Sequence, residues 1–300
     1  MAEPLLLPSE PSDRMVAVMK DRGLPRRLST PPVSPTHRIM NLRPRLLRFA
    51  ASIGGLFVLP TAVVSQTPTL LVELESGPAW QSYNDVEIPN DGTATRFSLS
   101  ELAGAGPWPA GRLTLTWNRS ERHGLALLLA PFSLTEEGVP AHPLRFAGAD
   151  YLEGEPASAT YKFNSYRLSY RYRWRETERT TARVGFTAKV RDARIALEQG
   201  DTTSRKDDLG FVPLLHLSGA WRFTPEWRLS AELDALAGGP GRAADLSVKL
   251  GRKLGERWSV QGGYRMVEGG ADVSEVYAFA WLHYAVISVS WTPVSPRAPD

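Results

Sequence analysis

Residues 211–236, FVPLLHLSGAWRFTPEWRLSAELDAL, alternate apolar and polar side chains through two arms, broken only at Thr224-Pro225. In the first arm Phe211, Pro213, Leu215, Leu217, Gly219, Trp221 and Phe223 share one face. Val212, Leu214, His216, Ser218, Ala220 and Arg222 share the other. In the second arm Trp227, Leu229, Ala231, Leu233 and Ala235 oppose Arg228, Ser230, Glu232 and Asp234. A period of two over both arms is the pattern of a β-hairpin, because successive side chains of a strand point to opposite faces. One face is oily throughout, aromatic at the turn and aliphatic beyond it, while the other carries charge. Two architectures accept such a hairpin. In a soluble sandwich the apolar face meets a second sheet. In a membrane barrel it meets lipid, an aromatic girdle marks the interface, and the lumen is polar.

The same alternation recurs along the chain and predicts ten strands. They lie at about 70–83, 113–118, 125–129, 166–174, 183–191, 211–223, 227–235, 245–250, 258–266 and 275–291. Near Asp192-Ala193 the phase slips, which predicts a bulge. Connections alternate between long (84–110, 133–157, 198–209, 238–242, 268–274) and short (about 119–123, 176–179, 224–226, 254–256). An even strand number puts both chain ends on the short-turn side. Tyr170, Tyr172, Trp174, Trp221, Phe223, Trp227, Trp258 and Trp291 all fall near the short-turn ends. They predict one aromatic belt at headgroup level.

The front of the chain has a different composition. Residues 40–65, MNLRPRLLRFAASIGGLFVLPTAVVS, place Arg43, Arg45 and Arg48 before an apolar core, Phe49 to Val64. Val63 and Ser65 then offer small residues for cleavage before Gln66, and the whole reads as a secretory signal. Residues 1–39 carry seven prolines without periodicity, the composition of a disordered or mis-annotated extension preceding a true start at Met40. The net charge of +3 misleads, because residues 1–65 hold nine of the 35 Lys/Arg and four of the 32 Asp/Glu. Residues 66–300 carry 26 basic and 28 acidic side chains, so nucleic acid loses its electrostatic footing as a partner. The chain has no cysteine, which excludes a disulfide framework and any thiolate metal site. No phosphate-cradling glycine motif or His/Glu metal spacing is present either. The expectation is therefore no metal and no cofactor.

The signal segment, the cysteine-free alternating strands and the aromatic-rich last strand resemble the small bacterial outer-membrane β-barrel proteins. The likeness covers about 66–291 and is one of pattern. It implies an all-β fold: a single antiparallel transmembrane barrel of about ten strands, exported to the outer membrane. It also implies contact with outer-membrane lipid and lipopolysaccharide, and insertion by the barrel assembly machinery. The family's last strand usually ends the chain at an aromatic residue. Here Trp291 holds that place, but a tail, 292–300, follows. A soluble periplasmic β-protein is the alternative.

A tight turn centred near Pro225 pairs positions summing to about 450. It sets His216 opposite Asp234, Ser218 opposite Glu232 and Arg222 opposite Arg228, within about 5.5 Å at the backbone. His216 as base, Asp234 or Glu232 orienting it, and Ser218 as nucleophile would form a hydrolytic group. The His-x-Ser step also resembles that of outer-membrane phospholipases and lipid A deacylases. The resemblance implies a lipid-facing pair, with an acid or amide about a dozen residues on. In this chain the alternation points the pair into the lumen, and Ser230 stands at the corresponding position. Mutual satisfaction of lumenal polar groups explains the cluster equally well.

The remaining inward charges form the expected lumen network: Glu73, Glu75, Arg167, Arg171, Arg173, Arg183, Lys189, Arg191, Arg222, Arg228, Glu232, Asp234, Asp245 and Arg265. A ten-stranded barrel is narrow, so an ion-paired plug is expected rather than an open pore. Lone on the apolar face of the last strand, His283 predicts a bulge that turns it inward. Asp201, Asp207 and Asp208, with Asp85, Asp91, Asp150 and Asp272, make external loops acidic and suggest bridging to lipopolysaccharide phosphates through divalent cations. The functional expectation is a non-enzymatic outer-membrane barrel with a structural, binding or narrow transport role, its external loops 84–110 and 133–157 free for contact. A lipid hydrolase built on Ser218 and a small-solute pore are the alternatives.

Overall fold

The computed structural model describes residues 69–293. The expected extension, 1–39, the expected signal segment, 40–65, and most of the tail lie outside them. The wall strands are β1 (Thr69–Glu87), then, after β2 (Phe97–Ser98) and the short α1 (Leu99–Leu102), β3 (Trp108–Asn118) and β4 (His123–Ala130). After β5 (Ser133–Gly138), β6 (Leu144–Phe146) and β7 (Ala149–Tyr151) come the long strands β8 (Ala157–Glu176), β9 (Thr180–Gln199) and β10 (Thr202–Arg222). The set closes with β11 (Trp227–Gly238), β12 (Gly241–Leu254), β13 (Trp258–Val273) and β14 (Val276–Trp291). Each wall strand pairs antiparallel with its neighbours, and β14 returns to β1 from Val72↔Trp291 to Glu87↔Tyr277. The result is a closed barrel of ten strands, as the alternation predicts.

The barrel is inverted relative to a soluble protein. Leu74, Leu168, Phe186, Leu215, Leu217, Trp221, Leu250 and Ile287 are exposed on its outside. Glu75, Arg112, Arg167, His216, Asp234, Asp245, Lys249 and Arg265 are buried inside. An exposed apolar band around a charged interior is what lipid as solvent selects.

Three expected loops are absent. Residues 198–209, 238–242 and 268–274 are continuations of strands joined by two-residue turns at 200–201, 239–240 and 274–275. Nor is there a bulge at Asp192-Ala193: β9 stays in register with both neighbours through Asn164↔Asp192 and Leu209↔Asp192. What changes there is the surroundings. Below, Phe186 and Val190 face outward and Thr187 and Lys189 inward. Above, the outward residues are Asp192 and Arg194, ion-paired with Lys162 and Asp207. The inward ones are now apolar, with Ile195 and Leu197 buried. Polarity inverts while the phase continues, because the strand leaves hydrocarbon for water.

Above that boundary the barrel mouth is filled. Segments 88–107 and 131–156 turn Ile88, Leu99, Leu102, Leu144, Phe146 and Tyr151 inward onto Tyr161, Ile195 and Leu197. The Tyr151 hydroxyl donates to the Leu197 carbonyl at 2.9 Å and shares a hydrogen bond with Ser204 Oγ at 2.7 Å. Gln199 clasps Leu152, accepting from its N–H at 2.6 Å and donating to its carbonyl at 3.1 Å. The two long connections are therefore a packed cap, not the free loops the sequence suggested. Burial in this cap raises the titration of the Tyr151 hydroxyl above its ordinary value.

Candidate functional site

Two strands supply the cluster at the centre of the lumen. The predicted hairpin register is the observed one: His216↔Asp234, Ser218↔Glu232 and Arg222↔Arg228. His216 is fully buried, with Nδ1 2.8 Å from Asp234 Oδ1 and Nε2 3.1 Å from Ser218 Oγ. Asp234 accepts only, so Nδ1 carries the proton in that bond and Nε2 is left to accept from the serine hydroxyl. Thr187 Oγ1 also donates to Asp234, at 2.8 Å, and Arg167 Nη1 reaches its other oxygen at 3.1 Å. Ser218 borders a cavity of about 200 Å³ lined also by Arg171, Arg183, Arg228 and Glu232.

This geometry is that of a nucleophile, a base and an orienting acid. It is equally that of a saturated polar network. Glu232 lies 4.0 Å from His216 Nδ1 and accepts from Arg171 at 2.7 Å. His216, Glu232 and Asp234 place ligand atoms within 4.8 Å of one another, the donor types a divalent cation takes. Both carboxylates are already held by guanidinium groups, and an ion would have to displace them. The hairpin register that brings 216, 232 and 234 together is the one the alternation predicts.

Below the outer boundary the charges form a chain of ion pairs. Asp245 accepts from Arg112 at 2.9 Å, Arg167 at 2.7 Å and Arg265 at 2.5 Å. Glu75 accepts from Arg265 at 2.9 Å and Lys249 at 2.9 Å, and Lys249 also meets Glu73. Arg112 and Lys249 were not among the residues expected here. Arg112 lies just ahead of the expected strand 113–118, beside a stretch that reads as loop, whereas β3 already begins at Trp108. Lys249 has the inward phase of Asp245 and was legible by alternation alone. Of the expected members, Arg173 pairs instead with Glu176 at the end of β8, and Arg191 with Asp208 near the outer end. Arg183, Lys189, Arg222 and Arg228 make no ion pair within 4 Å among the described residues.

On the outside, Tyr170, Trp174, Trp221, Phe223, Trp258 and Trp291 are exposed at the short-turn ends, and Tyr172 and Trp227 half-exposed. Trp221 contacts Phe223 and Trp258 contacts Trp291, with ring centroids 5.5 and 6.1 Å apart. His283 does not turn inward. β14 pairs with β13 without a shift from Val276 to Trp291. The irregularity lies across from it in β1, between Gln81 and Tyr83. The ring points outward, hydrogen-bonded to Ser82 Oγ at 2.6 Å and to the Tyr264 hydroxyl, and stacked on Trp80. Its polar atoms are satisfied without a bulge.

The acidic residues expected to bridge phosphates are largely committed. Asp207 meets Arg194 and Arg205, Asp208 meets Arg191, Asp150 meets Arg145, and Asp272 accepts from Asn90 at 2.8 Å. Asp91 accepts from the N–H and hydroxyl of Thr93, and the hydroxyl bond holds its carboxyl below the usual range.

A closed ten-stranded wall, oily outside and charged within, decides the class of fold. The chain is an outer-membrane-type β-barrel.

No family model matches it, and no curated protein does. Solved structures similar to it are outer-membrane barrels at low identity. The outer membrane protease OmpT of Escherichia coli is 10% identical, with 77% of this chain and 99% of that one covered, at a TM-score of 0.47. Ail, the attachment invasion locus protein of Yersinia pestis, is 9% identical over 74% of this chain and 98% of that one, at 0.35. Neisserial surface protein A is 9% identical over 75% and 99%, at 0.33. These likenesses concern architecture only.

Proposed function

We propose that this barrel works in the bacterial outer membrane by binding rather than by conducting or by catalysis. The observation that supports it is the double closure of the lumen. Arg167 bridges Asp234 and Asp245 across the interior, and the apolar cap fills the mouth above. Passage of solutes would require breaking buried ion pairs whose loss leaves uncompensated charge. The outer faces of 88–107 and 131–156 are then the contact surface, since they stand on a rigid wall. Lipid and lipopolysaccharide are the neighbours this placement supplies. Export would remove residues 40–65, giving a mature chain that starts at Gln66, and insertion would use the barrel assembly machinery. Reconstitution in planar bilayers is expected to give no unitary current steps, and regular steps would overturn the reading.

The distances around Ser218 favour a second reading. With Nε2 of His216 3.1 Å from the hydroxyl and Asp234 behind the ring, Ser218 would attack an ester carbonyl and pass its proton to His216. The imidazolium formed would be held by Asp234 and would give its proton to the departing alcohol as the ester C–O bond breaks. Water, deprotonated by His216, would then hydrolyse the acyl-serine. The substrate would be a small anionic ester drawn to Arg171, Arg183 and Arg228 around the cavity, not a diacyl membrane lipid, which is too bulky for this cavity of about 200 Å³. Turnover of nitrophenyl esters that vanishes in Ser218→Ala would establish it, and absence of turnover in the unaltered protein would remove it.

A further inference from the structure

The barrel wall is incomplete on one side. β10 is paired with β9 from Thr202 to Trp221, but with β11 only from Leu215 to Arg222. β11 continues to Gly238, paired on its other side with β12 as far as Gly241. Residues 212–214 and 236–238 therefore face each other across an unzipped stretch. The sequence explains where it begins. Pro213 has no N–H for the ladder, and proline in a sheet belongs on an open edge. Its pairing with Ala188 of β9 is intact, so the open side is the one toward β11. A Cβ added at Gly238 would meet nothing within 4 Å.

This notch lies at the height of the outer leaflet. Leu209 and Phe211, 76% and 67% exposed, flank it on the outward face, just below the level at which Asp207 and Arg194 mark water. Behind it is a cavity of about 350 Å³, within the ~300–1,000 Å³ range of ligand pockets and reached past Val212, Pro213 and Leu236. Its wall is mostly apolar, including Ile88, Tyr161 and Ile195. Three inward cations line it, Lys189, Arg191 and Lys206, against one inward carboxylate, Asp208, which Arg191 engages. The other lining charges have the outward phase, and Arg242 pairs with Glu268 there while Arg194 pairs with Asp207. Lys189 is 3% exposed and its ammonium lies 4.7 Å from the centre of the Phe163 ring, with no carboxylate within 4 Å among the described residues. A buried, unpaired ammonium is costly unless something anionic completes it.

We propose that this cavity binds a long-chain carboxylate from the outer leaflet, entering sideways between β10 and β11, with its head group on Lys189 and its chain along the apolar wall. Lateral entry suits such a molecule because its chain already lies in hydrocarbon at the level of the notch. The site is separate from Ser218 and from the outer faces of the cap, and it does not depend on whether the barrel conducts.

The test uses the folded barrel in phosphatidylcholine nanodiscs with cis-parinarate as the fluorescent probe, displaced by dodecanoate or by dodecan-1-ol. The unaltered protein is expected to give saturable fluorescence above protein-free discs and to prefer dodecanoate by roughly tenfold or more, the scale of one charge-assisted bond. Lys189→Met should bring the two competitors to within about twofold, and Lys189→Arg should keep the preference. Val212→Trp, which fills the entrance, should suppress the probe signal. Folding of each variant is read from heat-modifiable gel mobility. Lys189→Met removes an unpaired buried charge, so it is expected to fold. No saturable signal in the unaltered protein, or an unchanged preference in Lys189→Met, would overturn the proposal.

Discussion

Arg167 Nη2 stands 2.7 Å from Asp245 Oδ2, a bond that crosses the lumen from β8 to β12. Asp245 also receives Arg112 and Arg265, so one carboxylate is shared by three guanidinium groups. Asp245→Asn should therefore cost on the order of 3–5 kcal/mol of barrel stability, the penalty for leaving buried charge uncompensated. Urea unfolding in detergent, followed by the heat-modifiable band, measures it. Pairing Asp245→Leu with Arg167→Met should cost less than the two single changes together, because both changes remove the same buried bond and its loss is counted only once.

His216 and Ser218 are neighbours in the same network but differ in burial. His216→Ala removes one of the two donors to Asp234 Oδ1, leaving Thr187 alone on it, and should lower stability by about 1–3 kcal/mol. Ser218 is half-exposed to a cavity, so Ser218→Ala should cost less than about 1 kcal/mol. Equal losses in the same urea assay would contradict the arrangement.

Gly185 lies between His216 of β10 and Arg171 of β8 in the paired sheet. A Cβ there would come within 1.8 Å of the Tyr170 carbonyl oxygen, and a backbone atom cannot swing aside. Gly185→Ala should destabilise the barrel by about 1–3 kcal/mol through local overpacking, visible as an earlier urea midpoint.

The outer ion pairs should respond to acid in a defined sense. The hydrogen bond from Arg194 holds the Asp207 carboxyl below its ordinary value. A lowered folded value means the favourable contribution is complete above the unfolded carboxylate pKa of about 3.9 and fades as pH falls through the folded one. Carbon-13 titration of Asp207 should show a midpoint below that value, and Arg194→Gln should move it upward. An unmoved midpoint would show that the pair is not formed in solution.

Because the chain has no cysteine, single cysteines can map its walls without background. Along β9, cysteines at 186, 188 and 190 should react with a lipid-borne probe. Those at 192 and 194 should react with a charged maleimide in water. Continued reaction of 192 and 194 with the lipid-borne probe would contradict the boundary proposed for this strand.

Strand number, hairpin register and the inside-out polarity were all legible in the sequence, because within hydrocarbon every second residue answers to one solvent. The pattern is harder to follow where the solvent changes. Asp192 and Arg194 keep the phase of Val190 but exchange its chemistry, so an unbroken strand looked like a bulge followed by a loop. The cap was hidden for a related reason: Leu99, Leu144, Phe146 and Tyr151 sit in short pieces with no period to detect. Arg112 was lost with the segment before it. His283 needs no bulge, because an apolar face tolerates a polar ring when Ser82 and Tyr264 supply partners from the neighbouring strands. No sequence cue marked the notch except Pro213, and its meaning depends on which neighbour it fails to pair with.

The exchange of polarity along β9 and β10 has a mechanical consequence. A barrel with a uniform oily belt can bob along the membrane normal, its height set only softly by the rings at its lower rim. Here, sinking would drag Asp192, Arg194 and Asp207 into the acyl region, and rising would lift Val190, Leu209 and Phe211 into water. The hairpin thus acts as a waterline, fixing draught as well as shape.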